Sequence, residues 1–549
     1  MSKINIFALG GLNENGKNMY VVEVDKDIFV FEAGLQYADE HILGIDYVIP
    51  NITYLKNNKE NIKGIFLTHG HDENVGAIAD IIDSLPEVKI YASKFTYNIV
   101  KEELIDCKKE TKNLVLVKDN KTIDFGDNKI TPISLTHSIP DNYGYSLSTK
   151  DGIIFYASDF VFDATMTDAP YKTDLGRLAY IGRQGVLCLM TESLYAMKKG
   201  HTSPNHRIGS LINSTISKCK GRIIFNVLNS HLYRIQELFN EVSKTDRKIV
   251  VMGKRLQNIV TYSIDNNYLK IDKKIIGDLS NINDENVIIL NSNEREKPYH
   301  NMMKIIDGYD KYIKINKNDT IFLATPIYEG SESTFYKMLD RIAMTGATAI
   351  TLPPKEYLSY HASSEDLMMM IELMKPNYYF PIKGEYSEQV ANGDLAASQG
   401  IPKNHIILKE NGFVATFENG KLIESYDQVP VGVISIDGES SDDIGELVLR
   451  DREILSKDGI LITSATIDKK TKKVIAGPEI LTRGFIYVKD SQELIDDIKG
   501  KCLDIINDNI HNGFVDYNKI KNTIRDNLSK FLFEETGNRP MIITVIQEI

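Results

Sequence analysis

Apolar residues in the first two hundred positions fall in short runs, Ile28-Phe29-Val30-Phe31, Gly64-Ile65-Phe66-Leu67 and Gly185-Val186-Leu187-Cys188-Leu189-Met190 among them, each followed by small or polar residues. Such runs predict short strands, and the helical stretches between them predict a layered α/β domain from residue 1 to about 200. A second rhythm begins near 205. Arg222-Ile223-Ile224-Phe225-Asn226-Val227, Lys248-Ile249-Val250-Val251-Met252-Gly253, Val287-Ile288-Ile289-Leu290 and Thr320-Ile321-Phe322-Leu323-Ala324 are nearly continuous and rich in β-branched residues. Runs apolar on both faces predict buried parallel strands, hence a separate doubly wound unit. After 350, Leu367, Met370, Ile371 and Met374 recur at helical spacing and stop at Pro376, behind a serine cap with acids in the first turn. The tail from about 450 predicts a hairpin around Gly459-Ile460-Leu461-Ile462, amphipathic helices near 491–511 and 517–533, and a closing strand Met541–Ile546, a small α+β module.

Length and composition narrow the picture. A chain of 549 residues exceeds one core, so two to four domains are expected. Cys107, Cys188, Cys219 and Cys502 are widely spaced and form no Cys-x-x-Cys pair, which reads as a reduced protein without a disulfide framework or zinc ribbon. The start, Met1-Ser2-Lys3-Ile4-Asn5-Ile6-Phe7, enters strand-like sequence directly, and no apolar run approaches ~18 residues. A cytoplasmic protein with no membrane partner is expected. The net charge of -12 argues against general nucleic-acid binding, although metal ions, helix N-termini and a few basic residues can make one cleft locally positive.

The chemistry concentrates at strand ends. The run Gly64–Leu67 leads into Thr68-His69-Gly70-His71-Asp72-Glu73-Asn74. Imidazoles at alternate positions can converge on one ion. Eleven histidines scattered over 549 positions would give roughly 0.2 such pairs by chance, so the pair needs corroboration. It comes from Thr136-His137-Ser138-Ile139-Pro140-Asp141, just past the alternating strand Lys129–Leu135, and from Ile153-Ile154-Phe155-Tyr156-Ala157-Ser158-Asp159. His69, His71, His137 and Asp159 are the expected metal ligands. Farther on, Ser359-Tyr360-His361-Ala362-Ser363-Ser364 runs into a helix N-terminus, whose free N–H groups would suit a phosphate.

These blocks, with Gly10-Gly11-Leu12-Asn13-Glu14-Asn15-Gly16-Lys17-Asn18-Met19-Tyr20, Pro381-Ile382-Lys383-Gly384-Glu385-Tyr386, Gly477-Pro478-Glu479-Ile480 and Arg483-Gly484-Phe485, resemble the ribonuclease J family of β-CASP metallo-β-lactamase-fold ribonucleases over nearly the whole length, its second paralogue in particular. The resemblance implies an α/β fold: a metallo-β-lactamase αββα sandwich with an inserted β-CASP α/β domain and a small C-terminal α+β domain. It divides the chain into a first metallo-β-lactamase part at 1–203, the β-CASP domain at 204–354, a second metallo-β-lactamase part at 355–447, and a linker with an oligomerisation domain at 448–549. In the family two divalent ions bridged by an aspartate activate water against an RNA phosphodiester, with 5′-to-3′ exonuclease and endonuclease action.

Carried over residue by residue, His361, Asp159 and Glu73 are the expected catalytic groups. Ser359, His361, Ser363, Ser364, Ser230, Tyr233 and Arg234 are expected to contact RNA, although a lone arginine such as Arg234 more often solvates a surface. Tyr360 stands where the family has glycine and would crowd the pocket. Glu73, Asn74 and Lys383 replace Asp, His and His of the second metal site, and Glu32 replaces an orienting Asp. One Zn²⁺ or Mn²⁺ is expected rather than two, with Lys383 paired to Asp159 or Glu73 as a built-in cation. The expected activity is a weakened metal-dependent ribonuclease of RNA processing and decay, acting on single-stranded, 5′-monophosphorylated RNA. Its alternative is a non-catalytic RNA-binding subunit that assembles with an active paralogue. The resemblance leaves homo- and hetero-oligomers open, and the inserted domain speaks against a small-molecule hydrolase.

Overall fold

The computed structural model describes residues 2–38, 44–292, 299–325, 327, 331–354, 356–437, 446–486, 491–511 and 514–549, so the expected boundary residue Lys355 lies outside the described residues. Contacts divide the chain into two compact units, Met1–Tyr37 with Tyr47–Ile434, and Ala38–Asp46 with Ser435–Ile549.

In the first unit two sheets face each other. The larger runs in the order Lys421–Ile423, Ala415–Glu418, Lys3–Gly10, Met19–Val24, Asp27–Phe31, Ile62–Phe66, Ile90–Ala92, Leu114–Leu116. The smaller runs Tyr378–Ile382, Val186–Glu192, Gly152–Tyr156, Tyr143–Thr149, Asn128–Ser134, Ile123–Phe125. Their inner faces interdigitate through Tyr20, Phe31, Phe66, Tyr145 and Tyr156, and the rings of Phe31 and Tyr156 stack at 5.1 Å across the interface. The helix Ser364–Met374 covers the other face of the smaller sheet with Leu367, Met370, Ile371 and Met374. It ends at Lys375 in the left-handed region, because Pro376 cannot continue it. Strands from residues 378–423 complete each sheet, so these later residues belong to the same sandwich as the first two hundred.

Between these parts lies a five-stranded, wholly parallel sheet in the order Lys248–Val251, Val287–Ser292, Ile223–Val227, Thr320–Leu323, Thr348–Thr351. Separate apolar clusters cover its two faces, which is why its strands read as unbroken apolar runs. The second unit pairs Ile460–Ile467 with Val474–Arg483 and Met541–Glu548, and packs the helices Gln492–Asp508 and Tyr517–Thr536 on that sheet. Among the described residues no helix is long and apolar enough to cross a membrane.

Candidate metal centre

The residues that follow strands Asp27–Phe31, Ile62–Phe66, Asn128–Ser134, Gly152–Tyr156 and Tyr378–Ile382 meet at one edge of the sandwich. Three of them, Glu32, Ser158 and Lys383, adopt positive φ (67°, 56° and 55°), a backbone cost of about 1–3 kcal/mol each that the surrounding sheets must hold in place.

His69, His71 and His137 present ring nitrogens within 4.8 Å of one another. His71 Nδ1 lies 3.3 Å from His137 Nε2, and His69 Nε2 lies 3.4 Å from Asp159 Oδ2. Two ligands of a tetrahedral ion with bonds of about 2.0–2.1 Å are about 3.3–3.4 Å apart, so the cage has the dimensions of a metal site. Burial and the neighbouring imidazoles hold the basicity of His69 and His137 well below the ordinary histidine range, which leaves both rings neutral with a lone pair to offer. Asp159 Oδ1 is buried without a hydrogen-bond partner. A buried carboxylate with one orphaned oxygen, whose other oxygen meets His69, fits a bound divalent cation next to this histidine cluster. Behind the cage, the Thr68 hydroxyl lies 2.8 Å from His69 Nδ1 and donates to Glu32, whose carboxyl burial raises to about 8 despite Lys383. Glu73 reaches His71 Nδ1 at 3.3 Å.

The other half of the pocket is built of N–H groups. Lys383, 2% exposed, places Nζ 2.7 Å from Asp159 Oδ2, 3.1 Å from Asn74 Oδ1 and 3.1 Å from Ser158 Oγ, so each ammonium proton has an acceptor. Burial opposes its charge, but Asp159 and Glu32 raise its basicity. Burial likewise opposes the Asp159 carboxylate, and Lys383 with the imidazoles holds that group well below the usual range. Asn74 Nδ2 lies 3.0 Å from His69 Nε2, while Asn74 Oδ1 accepts from Asn18 Nδ2 at 3.0 Å. Lys383 is therefore paired with Asp159 and not with Glu73.

His361 adjoins both halves, with Nδ1 2.7 Å from Glu192 Oε2 and 3.8 Å from Asp159 Oδ1. Burial lowers its basicity, but the two carboxylates outweigh that and raise it to about 9. Glu192 Oε1 accepts from the backbone N–H of Phe160 and Ala362, both at 3.0 Å. Glu192 was missed in the sequence, although Thr191-Glu192-Ser193 closes an apolar strand just as Ser158-Asp159 does.

Two expectations need correction. The N–H groups at the start of helix Ser364–Met374 are not free: Ser363 N donates to Asp366 Oδ2 at 3.1 Å, Ser364 N to Lys198 O at 2.9 Å and Glu365 N to Gly200 O at 3.0 Å. Ser363 Oγ lies 2.8 Å from Thr202 Oγ1, and Ser363 serves as the helix cap. Nor does Arg234 solvate a surface or face a ligand. It is fully buried, donating to Ala324 O at 2.5 Å and Leu358 O at 3.1 Å, and so ties the parallel sheet to the turn that carries His361. Ser359 N donates to Tyr195 OH at 3.3 Å, and Ser230 is half-buried just ahead of helix Leu232–Val242. Tyr360 is buried with its ring 4.7 Å from His206, 6.1 Å from Tyr233 and 6.3 Å from His137, a filled space where glycine would leave room.

Family profiles match along the chain: metallo-beta-lactamase superfamily at 12–181, ribonuclease J beta-CASP domain at 220–342, Zn-dependent metallo-hydrolase RNA specificity domain at 355–407, and ribonuclease J C-terminal domain at 447–549. The chain is 36% identical over 551 residues to ribonuclease J2 of Bacillus subtilis (strain 168), covering 100% of this chain and 99% of that protein. It is also 36% identical over 550 residues to ribonuclease J 2 of Staphylococcus aureus (strain MRSA252), covering 100% and 98%. A crystal structure of a protein of unknown function from Enterococcus faecalis V583 superposes with a TM-score of 0.53 at 14% identity, covering 76% of this chain and 100% of that one, a likeness of fold.

Proposed function

Because the chain belongs to the ribonuclease J family of metal-dependent ribonucleases, we propose that it cleaves RNA at a single divalent ion, with the Lys383 ammonium standing in for a second. The observation that carries this reading is the shared carboxylate: Asp159 Oδ2 meets both His69 Nε2 at 3.4 Å and Lys383 Nζ at 2.7 Å. A divalent ion held by His69, His71, His137 and Asp159 would supply an acidified water and positive charge toward a phosphodiester. Lys383 neutralises part of the Asp159 charge and holds its orientation. Glu192 fixes His361 through Nδ1, leaving Nε2–H to donate to a phosphate oxygen or to the departing alkoxide. Glu73, near His71, is placed to accept a proton.

An ammonium lends charge but cannot acidify water, so cleavage is slow relative to a two-ion site. The substrate is single-stranded RNA with a 5′-monophosphate, cut from the 5′ end and internally in RNA processing and decay. Ser230 and Tyr233 belong to its path, with Ser359 and Ser364 at the rim. The protein acts in the cytoplasm, as a homo-oligomer or with a ribonuclease J paralogue, assembled through residues 448–549.

A second reading is favoured by one observation: Lys383 and Asn74 fill the other half of the pocket, and the Asn74 amide also occupies His69 Nε2. On that reading the chain is a non-catalytic RNA-binding subunit that tunes an active paralogue. Incubation of 5′-monophosphorylated RNA with the purified chain and Mn²⁺ or Zn²⁺, beside His71→Ala, decides between them. Cleavage lost in the variant supports the enzyme. RNA bound but equally uncut by both proteins supports the subunit.

A further inference from the structure

The helix ahead of Met374 spends its N-terminal N–H groups on the loop Ser193–Gly200, and this places a different cation at the mouth of the site. Lys198 O accepts from Ser364 N and Gly200 O from Glu365 N, so the backbone of Lys198 is fastened to the turn that carries His361. Its side chain is exposed, and Nζ lies 3.2 Å above the centre of the Tyr195 ring. Tyr195 in turn lies 5.5 Å from the His361 ring and accepts a hydrogen bond from Ser359 N.

Several cations of the neighbourhood are committed. Lys383 has acceptors for all its protons, Lys17 pairs with Glu14, and Glu365 in the first turn of the helix lies 3.4 Å from His201 Nε2. Among the described residues Lys198 forms no ion pair with a carboxylate. In a chain of net charge -12, a lysine parked on the ring that adjoins His361 is conspicuous. A ring face holds an exposed ammonium only weakly. An approaching phosphate can take it over at little cost, which a buried carboxylate pair would not permit.

We propose that Lys198, aimed by Tyr195, binds the RNA phosphate neighbouring the one at His361. The inference rests on the reading of the chain as an RNA binder and names the anionic contact that the helix N-terminus does not supply. It predicts a point-charge contact with the backbone, indifferent to base sequence.

The test is binding of fluorescent single-stranded oligonucleotides of several sequences to the full chain over a salt series, for wild type, Lys198→Ala, Tyr195→Leu, Tyr195→Phe and the remote reference Lys112→Ala. Each phosphate neutralised on a single strand contributes about 0.7 to the slope of log affinity against log salt. Lys198→Ala should lose about that much slope and weaken binding by a similar factor for every sequence. Tyr195→Leu should lose part of the affinity, whereas Tyr195→Phe, which keeps the ring, and Lys112→Ala should bind as wild type. A wild-type slope in Lys198→Ala, with RNA bound, overturns the assignment and leaves the RNA reading standing. Tyr195→Leu behaving as wild type overturns the aiming role. Failure of the wild type to bind any oligonucleotide overturns both the assignment and the RNA reading.

Discussion

Two halves of one pocket share Asp159 and are built on opposite chemistry. On one side His69, His71 and His137 turn ring nitrogens toward one another; on the other Lys383 and Asn74 contribute N–H groups that already have acceptors. The first half offers ligands for a cation from outside. The second carries its own. A strand-end architecture made to gather ligands thus serves equally to gather a ligand set and its internal replacement, and the identity of two side chains decides which.

The largest expected effect comes from making the halves alike. Replacing Glu73→Asp, Asn74→His and Lys383→His together should raise bound metal, read by elemental analysis, from one ion to two per chain, and RNA cleavage by orders of magnitude, since the second ion supplies charge and an acidified water. One ion per chain in the triple variant would mean that the divergence extends beyond these residues, with Glu32 the first suspect.

Breaking only the imidazole half should separate the two. His71→Ala should weaken metal binding, measured by calorimetry, by more than the 10–100-fold typical of outer-shell partners, while the Lys383 half keeps the fold intact. Equal metal affinity in variant and wild type would remove the cage from consideration.

Breaking only the ammonium half should act on stability. Lys383→Met strands the Asp159 carboxylate, and loss of one partner of a buried pair costs about 3–5 kcal/mol, read from the urea midpoint. Asp159 titrates below its unfolded value, so its contribution is present above about pH 4 and is lost as pH falls below that. The variant should lack this acid limb of the stability curve. Saturating Mn²⁺ should restore part of the midpoint in Lys383→Met, and a variant as stable as wild type without metal would show that Asp159 is not ionised in the native state.

The same contrast explains what the sequence conveyed. The parallel sheet was legible because both its faces are buried, so each strand is apolar at nearly every position. The cage was legible because imidazole has few other uses at successive strand ends. Lys383 and Asn74 stood out as departures from a resembled pattern. The engagement of the helix N-terminus was not legible, since Ser363 and Asp366 announce a cap but nothing local says that Lys198 and Gly200 supply the remaining acceptors. Arg234 misled for a similar reason: its acceptors are the carbonyls of Ala324 and Leu358, which only the fold brings near. Glu192 could have been found by applying to its strand the rule that found Asp159.

The smallest effect probes the seam between the halves. Asn74 Nδ2 donates to His69 Nε2, the lone pair that a metal requires, while Asn74 Oδ1 accepts from Lys383 and Asn18. The residue therefore stabilises the ammonium half and competes with the imidazole half. Asn74→Ala removes the competitor, and a hydrogen bond of this kind contributes about 0.5–1.5 kcal/mol. Metal affinity should rise by the corresponding few-fold to tenfold while the metal-free protein loses a similar amount of stability. The two changes together identify competition. A fall in metal affinity would instead show that the Asn74 amide positions His69 for the ion, and the two halves would then be cooperating parts of one site.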